Sequence, residues 1–225
     1  MNSLEMLSRI AKGLGPLKDK VVFVGGSTVS LYLTDPGAAT VRPTEDVDCV
    51  ILVLTRGQYY KLEQELERLG FRHVTEKDAP ICRWSYKGLT ADIMPTEGTV
   101  LNFKNSWYPD GYEHAIHVKL PGGEEVRIFS LPYFLASKIE AFNDRGHGDF
   151  LTSPDMEDII TVLDGSETVA EELSTAPAKV RKYLAGKFAE FLRNDRFTES
   201  LEGNLRSPAG TAARVERIKN ILAAL

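Results

Sequence analysis

Three aspartates lie in otherwise apolar stretches of the sequence, where together they could bind a metal ion. Asp46 and Asp48 open the run Asp46–Val53, whose last five residues are all apolar. Two residues apart on a strand, they would share one face roughly 6.7 Å apart and repel by about 2.5 kcal/mol at an effective dielectric of about 20. Magnesium would offset this repulsion, since it takes carboxylate ligands. The alternative is an acidic loop ahead of a strand.

The third aspartate, Asp92, is an isolated acid in the otherwise apolar stretch Leu89–Met94, which Pro95 ends. The stretch is predicted to be the second arm of a hairpin whose turn is Lys87-Gly88. An acid in such a strand is either an edge-strand residue that prevents aggregation or a ligand of a metal ion. If the hairpin pairs beside the Asp46 strand, the three carboxylates converge. They would then hold one or two metal ions able to activate a hydroxyl and stabilise a leaving pyrophosphate.

A glycine turn precedes these acids in the sequence. Gly25 and Gly26 separate the apolar run Val21–Val24 from Ser27, where a helical stretch is predicted to begin. Glycine permits positive φ and a close approach of backbone N–H groups to phosphate, while the helix N-terminus and the Ser27 hydroxyl add donors. The alternative is a tight turn with Ser27 as an ordinary N-cap. The turn lacks the Gly-Lys-Ser/Thr of a Walker loop.

The elements that must position these residues follow from apolar periodicity and turn residues. In the first part of the chain, these patterns predict an N-terminal amphipathic helix and a second helix over 57–69. They also predict strands over 21–24, 46–53 and 71–75, and hairpins at 81–86/89–94 and 117–120/125–129. Helices are predicted over 131–143, 155–163, 178–192 and 211–224. We therefore predict an α+β fold, with a mixed β-sheet flanked by helices over residues 1–130 and a helical C-terminal domain over residues 131–225.

The composition is that of an ordinary globular protein. Of 225 residues, 43% are hydrophobic and 26% charged, and the net charge of −5 argues against tight nonspecific binding of nucleic acid. The two cysteines cannot form a disulfide framework, which suits a reducing compartment. The N-terminus lacks the apolar core of a signal peptide, and no apolar run is long enough to span a membrane. We expect a cytoplasmic protein.

The order of strand, Gly25-Gly26-Ser27, helix, loop and Asp-x-Asp strand resembles the polymerase-β-like nucleotidyltransferase superfamily. The resemblance implies that Asp46, Asp48 and Asp92 bind metal and act in catalysis, and that the glycine turn binds the nucleotide. One departure is that 19 residues separate Gly26 from Asp46, more than in compact members. This longer spacing looks more like the AbiEii/AbiGii-type toxin branch.

A second element is similar to that branch. The segment Lys138–Arg145 resembles the K-x-x-A…R element of its first C-terminal helix, which continues into an acidic D-x-x-D element. Asp155 and Asp158 would supply those acids, although Asp149 also follows Arg145 closely and could replace them. The resemblance implies that Lys138 acts in catalysis and that Lys138, Arg145, Asp155 and Asp158 contact the nucleotide.

The residues themselves leave these roles open. Lys138 falls on the apolar face of its predicted helix, where lysine is seldom found unless it is paired or extends its ammonium to solvent. Asp155 and Asp158 follow Ser153-Pro154, so acids in a first helical turn explain them equally well. The apolar face consists of Leu131, Phe134, Leu135 and Phe142.

The resemblance implies a magnesium-dependent enzyme, with manganese as a substitute, that transfers a nucleoside monophosphate from a nucleoside triphosphate to an acceptor hydroxyl. The acceptor would be the 3′ end of a transfer RNA or a protein hydroxyl, and the setting a toxin paired with an antitoxin. Two alternatives are an inactive nucleotide-binding regulator of the same fold and a metal-dependent phosphohydrolase that uses the same acids on water.

Overall fold

A computed structural model describes residues 1–38, 40–101, 105–146, 148–205 and 210–225. The chain forms two compact units. The first comprises Met1–Thr28 and Arg42–Ser130, and the second comprises Val29–Val41 and Leu131–Leu225. A sheet dominates the first unit and helices make up most of the second, so the α+β prediction is confirmed.

The first unit contains a seven-stranded mixed sheet in the order β3-β4-β5-β2-β1-β7-β6. The central strands matter most for the site, because β2 runs antiparallel to β1 and parallel to β5, while β5 runs antiparallel to β4. The strands are β1 (Val21–Val24), β2 (Asp46–Ile51), β3 (Arg72–His73), β4 (Arg83–Tyr86), β5 (Leu89–Pro95), β6 (Ile116–Lys119) and β7 (Glu125–Ile128).

Both predicted hairpins are confirmed. The turn between β4 and β5 has positive φ at Lys87 (50°) and Gly88 (79°), which is the backbone that matches the twist of two antiparallel strands. Of the three other strand predictions, the one over 21–24 is confirmed and two were too long. The strand predicted over 46–53 ends at Ile51, and the one predicted over 71–75 is reduced to two residues.

Among its described residues, the first unit contains three α-helices: α1 (Ser3–Leu14), α2 (Arg56–Arg68) and α3 (Tyr108–Glu113). A capping box starts α1, since the Asn2 side chain accepts a hydrogen bond from the Glu5 amide at 2.9 Å. Leu7, Ile10 and Leu14 bury one face of α1, which packs against β2 and β5. This helix therefore supports the two strands that carry the aspartates.

The helical stretch after the glycine turn is a 3-10 helix, Gly26–Leu31, rather than an α-helix. The Thr28 amide donates to the Gly25 carbonyl at 3.2 Å, the i to i+3 pattern of a 3-10 turn. Its sequence, Gly-Ser-Thr-Val-Ser-Leu, is poor in residues with high α-helix propensity.

The second unit contains six α-helices among its described residues: α4 (Leu131–Asp144), α5 (Pro154–Gly165), α6 (Val169–Thr175), α7 (Ala178–Leu192), α8 (Asp195–Asn204) and α9 (Thr211–Ala223). The four predicted ones are present within two residues of their expected ends. The short helices α3, α6 and α8 were not predicted. Phe142, Phe150, Phe191 and Phe197 form an aromatic cluster in the core of this unit. In the described part of the chain, every helix is too short or too polar to cross a membrane.

Candidate active site

The pairing of β2 with β5 brings the three aspartates together. Asp48 is directly opposite Asp92 in this parallel pair, and Asp46 is opposite Thr90. Residues in register on neighbouring strands are about 4.8 Å apart and point to the same face. Asp46 shares that face because it lies two residues from Asp48 on the same strand. The expected convergence is therefore present, and the role of these acids as metal ligands stays a prediction.

Arg83, which was not predicted as a site residue, bridges two of these acids. Its Nε donates to Asp92 Oδ1 at 2.8 Å, and its Nη2 donates to Asp92 Oδ2 at 2.7 Å and to Asp46 Oδ2 at 2.9 Å. The hydrogen bonds to Asp92 raise the pKa of Arg83 despite the opposite effect of partial burial, so the guanidinium stays charged. The Arg83 side chain is 29% exposed and that of Asp46 35%.

A sequence signal for Arg83 was present in the hairpin. The Lys87-Gly88 turn pairs Tyr86 with Leu89, and counting outward from that pair places Arg83 opposite Asp92. Opposite charges at such a cross-strand position attract each other. The register of a two-residue hairpin therefore predicts the contact once the turn is recognised.

The glycine turn lies against the acid cluster. Val24, the last residue of β1, is opposite Asp48, and Gly25 follows with φ of +72°. A Cβ at Gly25 would lie 2.0 Å from Asp48 Oδ2, so only glycine allows this approach without displacement of the carboxylate. The turn and the Asp-x-Asp strand thus meet at one place.

The hydroxyls beside the turn donate to its own backbone. Buried Ser27 donates from Oγ to the Val24 carbonyl at 3.4 Å, and Thr28 Oγ1 donates to the Gly25 carbonyl at 2.9 Å. These bonds fix the turn that joins β1 to the 3-10 helix. Phosphate binding by Gly25, Gly26 and Ser27 stays a prediction.

The donor chemistry of the cluster fits magnesium, because three hard carboxylates share one face of adjacent strands. Within the described ranges, however, no group of three or more His, Cys, Asp or Glu side chains is arranged to hold a metal ion. The Arg83 guanidinium contacts both Asp46 and Asp92 instead. A metal ion that took oxygens from these two acids would replace contacts that Arg83 makes.

The cysteines take no part in such a site as thiolates. Both Cys49 and Cys82 are free and buried. Burial raises the pKa of the Cys82 thiol to about 12 and also raises that of Cys49 well above its ordinary value. Neutral thiols are neither good nucleophiles nor metal ligands, so the chemistry of this face is that of oxygen.

In the second unit, Lys138 is buried between two aspartates. Its Nζ lies 3.0 Å from Asp155 Oδ1 and 2.6 Å from Asp158 Oδ2, and the three side chains are 5%, 2% and 2% exposed. Burial lowers the pKa of Lys138, but its ion pairs with Asp158 and Asp155 outweigh burial and raise it. Of the possibilities that the sequence left open, Lys138 is paired and does not extend its ammonium to solvent.

Asp155 also binds Arg145 in a bidentate arrangement. Arg145 Nε donates to Oδ2 and Nη2 to Oδ1, both at 2.9 Å. Burial would raise the pKa of Asp155, but these hydrogen bonds and the charge of Lys138 lower it to about 2. Asp155 therefore joins the two basic residues Lys138 and Arg145 of the K-x-x-A…R segment.

Asp149, the alternative acid, makes local contacts. It accepts hydrogen bonds from the Leu151 amide at 3.0 Å and the Thr152 hydroxyl at 2.6 Å. Asp155 and Asp158 instead lie in the first turns of α5, after the Ser153 side chain that caps the Met156 amide. A nucleotide-binding role for Lys138, Arg145, Asp155 and Asp158 stays a prediction.

Another ion cluster of the second unit is structural. Arg214 binds buried Asp164 through Nε at 2.7 Å and Nη2 at 2.8 Å, and its Nη2 also contacts Asp35 Oδ2 at 2.7 Å. Asp35 belongs to the segment Val29–Val41, Asp164 to α5 and Arg214 to α9. The cluster therefore fixes that segment to two helices.

No protein-family model matches the chain, and no curated protein matches it. Among the solved structures that are similar to it are the following two. The antibiotic-resistance factor ANT(2'')-Ia is 16% identical with a TM-score of 0.49, over 84% of this chain and 95% of its own. An antigenic nucleotidyltransferase-like protein from Paracoccidioides brasiliensis is 18% identical with a TM-score of 0.48, over 96% of this chain and 93% of its own. Likeness of this degree carries no argument about function.

Proposed function

We propose that this chain is a metal-dependent nucleotidyltransferase that moves a nucleoside monophosphate from a nucleoside triphosphate to an acceptor hydroxyl. One observation supports this proposal above the others: the sheet register sets Asp48 beside Asp92 and against the Gly25 turn. Paired carboxylates and a backbone that approaches closely are what a metal-bound triphosphate requires. The alternative, in which Asp46 and Asp48 belong to an acidic loop ahead of a strand, does not explain this register.

Asp46, Asp48 and Asp92 are the residues that would hold magnesium, or manganese in its place. The metal would supply charge neutralisation on the phosphates and a lowered pKa for the attacking hydroxyl. The chain's own residues orient the reactants. The amides of the Gly25 turn would bind phosphate oxygens, and Asp92 would accept the proton of the acceptor hydroxyl.

The Lys138 cluster has a supporting role in this proposal. Lys138 directs its ammonium to Asp155 and Asp158, which fixes α4 against α5. Arg145 is mostly exposed and still holds Asp155, so it is the basic group of this cluster that solvent reaches. We propose Arg145 as the residue of the cluster that contacts phosphate, with Asp155 as the group that orients it.

The acceptor and the biological setting rest on the resemblance alone. They are the 3′ end of a transfer RNA or a protein hydroxyl, in a toxin with a cognate antitoxin. The net charge of −5 gives no support to a broad nucleic-acid-binding surface. An RNA acceptor would therefore be bound at a local site, and both acceptor classes belong in the assay.

The test is label transfer from each of the four α-³²P nucleoside triphosphates, with magnesium and either total cellular RNA or total cellular protein. We expect one nucleotide to label one acceptor class. Asp48→Asn should lower the rate by at least about 100-fold, because it removes a carboxylate that would hold the metal ion, and the metal would neutralise charge on the reacting phosphates. Glu45→Gln is the matched control, since it removes an exposed carboxylate one residue before β2.

The same assay distinguishes the alternatives. Nucleotide cleavage without a labelled macromolecule would identify a phosphohydrolase. Binding of the magnesium nucleotide without turnover on any acceptor would identify a nucleotide-binding regulator. Transfer by Asp48→Asn at the wild-type rate would refute the metal-binding role of the acids.

A further inference from the structure

Arg83 occupies the oxygens that the proposed function requires. Its three hydrogen bonds use both carboxylate oxygens of Asp92 and one of Asp46. Asp92 is opposite both Arg83 on β4 and Asp48 on β2, so the guanidinium and the acids form one row across three strands. Any ligand that needs Asp46 and Asp92 must therefore compete with this side chain.

The bridge is one that a ligand can exchange. The Arg83 and Asp46 side chains are 29% and 35% exposed, and an ion pair in such contact with water contributes only about 0–1 kcal/mol. The Asp92 side chain is 10% exposed, so its carboxylate needs another cation when Arg83 leaves, and the metal ion would be that cation. The planar guanidinium fits the oxygens of a phosphate as well as those of a carboxylate, in the same bidentate geometry. The side chain thus has a second class of partner that matches its present one.

We propose that Arg83 couples metal binding to triphosphate binding. In the free protein it bridges Asp46 and Asp92, and in the complex it moves from these carboxylates to phosphate oxygens, which releases the acids for the metal. This inference rests on the proposed function. No bond is formed or broken covalently, and the guanidinium exchanges one set of anionic oxygens for another.

The coupling has a direction that can be measured. Metal alone competes with Arg83 and binds weakly, whereas triphosphate attracts Arg83 and strengthens metal binding. Linkage requires the metal to strengthen triphosphate binding by the same factor. Arg83 is therefore a positioning residue that disfavours binding of the metal without the nucleotide.

Calorimetric titration of Arg83→Gln tests this proposal. With Mn²⁺ alone, the variant should bind about tenfold more tightly than the wild type, because no guanidinium competes for Asp46 and Asp92. With α,β-methylene nucleoside triphosphates in EDTA, it should bind about tenfold more weakly, because the phosphate loses its partner. With both ligands, after allowance for the complex they form in free solution, the wild type should show positive coupling and the variant none.

Two further variants control for charge and folding. Arg68→Gln removes one positive charge from an exposed position on α2 and should titrate like the wild type. Arg83→Lys keeps the charge but loses the bidentate geometry, and it should give intermediate values. Both tryptophans, Trp84 and Trp107, lie in the first unit, so their fluorescence reports whether each variant keeps that unit folded.

The outcomes separate this inference from the proposed function. Tighter Mn²⁺ binding and weaker triphosphate binding by Arg83→Gln support it. Unchanged or weaker Mn²⁺ binding, or unchanged triphosphate binding, overturns the coupling and leaves the label-transfer assay to decide the function. Absence of Mn²⁺ binding by both the wild type and the variant overturns the metal site, and the inference with it.

Discussion

Among the described clusters in which one basic side chain joins two aspartates, those of Arg83 and Lys138 differ in exposure. Arg83 joins Asp46 to Asp92 on the sheet, where water reaches Arg83 and Asp46 and the Asp92 side chain is 10% exposed. Lys138 joins Asp155 to Asp158 between α4 and α5, where all three side chains are almost completely buried. The composition of the two clusters is alike, so their environment must separate their roles.

Solvent access decides which cluster can exchange partners. A buried charge that loses its partner has no water to replace it, so the Lys138 cluster is held together as a structural unit. An exposed charge that loses its partner is solvated again at little cost. The Arg83 cluster is therefore the one suited to binding and releasing a ligand, and the Lys138 cluster the one suited to fixing two helices.

Lys138→Met provides the strongest test of this contrast. It should lower the free energy of unfolding of the second unit by about 3–5 kcal/mol, because it leaves two buried carboxylates without their shared cation. Urea denaturation followed by circular dichroism at 222 nm measures this loss, since helices make up most of the second unit. Lys182→Met, at an exposed position on α7, is the control. A loss below about 1 kcal/mol would place Lys138 with the exposed ion pairs.

The sequence predicted the three aspartates of the site but not Arg83, the basic residue that bridges two of them. Asp46, Asp48 and Asp92 were identifiable because aspartate is rare in apolar strands. That Asp48 lies opposite Asp92 could not be derived, since the pairing of β2 with β5 joins strands from distant parts of the chain. Local sequence patterns predict individual helices and strands, whereas this site depends on the pairing of strands that are far apart in the sequence.

The helical part was predicted where helices are long and missed where they are short. The helices α5 and α7 span 12 and 15 residues, whereas α8 spans 10 and buries only Phe197, Ser200 and Leu201. A short helix depends on packing more than on its own sequence. In the same way, the pairing of Lys138 with Asp155 and Asp158 could not be fixed from spacing, because α4 and α5 are separate helices.

Gly25→Ala tests how closely the glycine turn packs against the Asp48 carboxylate. Positive φ costs an L-residue about 1–2 kcal/mol, and the new Cβ would also displace the Asp48 carboxylate, so we expect a loss of about 2–3 kcal/mol in stability. Tryptophan fluorescence in urea measures this loss in the first unit. Asp48→Ala removes the two shortest contacts to that Cβ, at 2.0 and 2.8 Å, and leaves one at 3.0 Å. The double variant Gly25→Ala/Asp48→Ala should therefore lose about 1 kcal/mol less stability than the sum of the two single losses. A loss equal to that sum would contradict the close contact.

Acid titration tests the buried cluster without changing its shape. The folded-state pKa of Asp155 is lowered from 3.8 to about 2, so its stabilising effect is present above pH 3.8 and is lost as the pH falls through 2. At about 1.4 kcal/mol per pKa unit, the wild type should lose about 2 kcal/mol more than Asp155→Asn between pH 4 and pH 2. Urea denaturation at each pH, followed at 222 nm, gives the two slopes. Asp144→Asn, an exposed aspartate of α4, is the matched control, and equal slopes for the wild type and Asp155→Asn would contradict the lowered pKa.

Arg83→Gln should have the smallest effect on stability, about 1–2 kcal/mol, because Arg83 and Asp46 are in contact with water and Asp92 is the one mostly buried group that loses its cation. Tryptophan fluorescence in urea measures it in the first unit, with Arg68→Gln as the control. The loss should be at least about 1 kcal/mol smaller than that of Lys138→Met, because the Lys138 cluster is buried more completely. A loss of 3 kcal/mol or more would mean that the exposed bridge is as structural as the buried one. Arg83 would then be too firmly held to leave Asp46 and Asp92 for a phosphate, since a ligand would have to supply that free energy before it could bind.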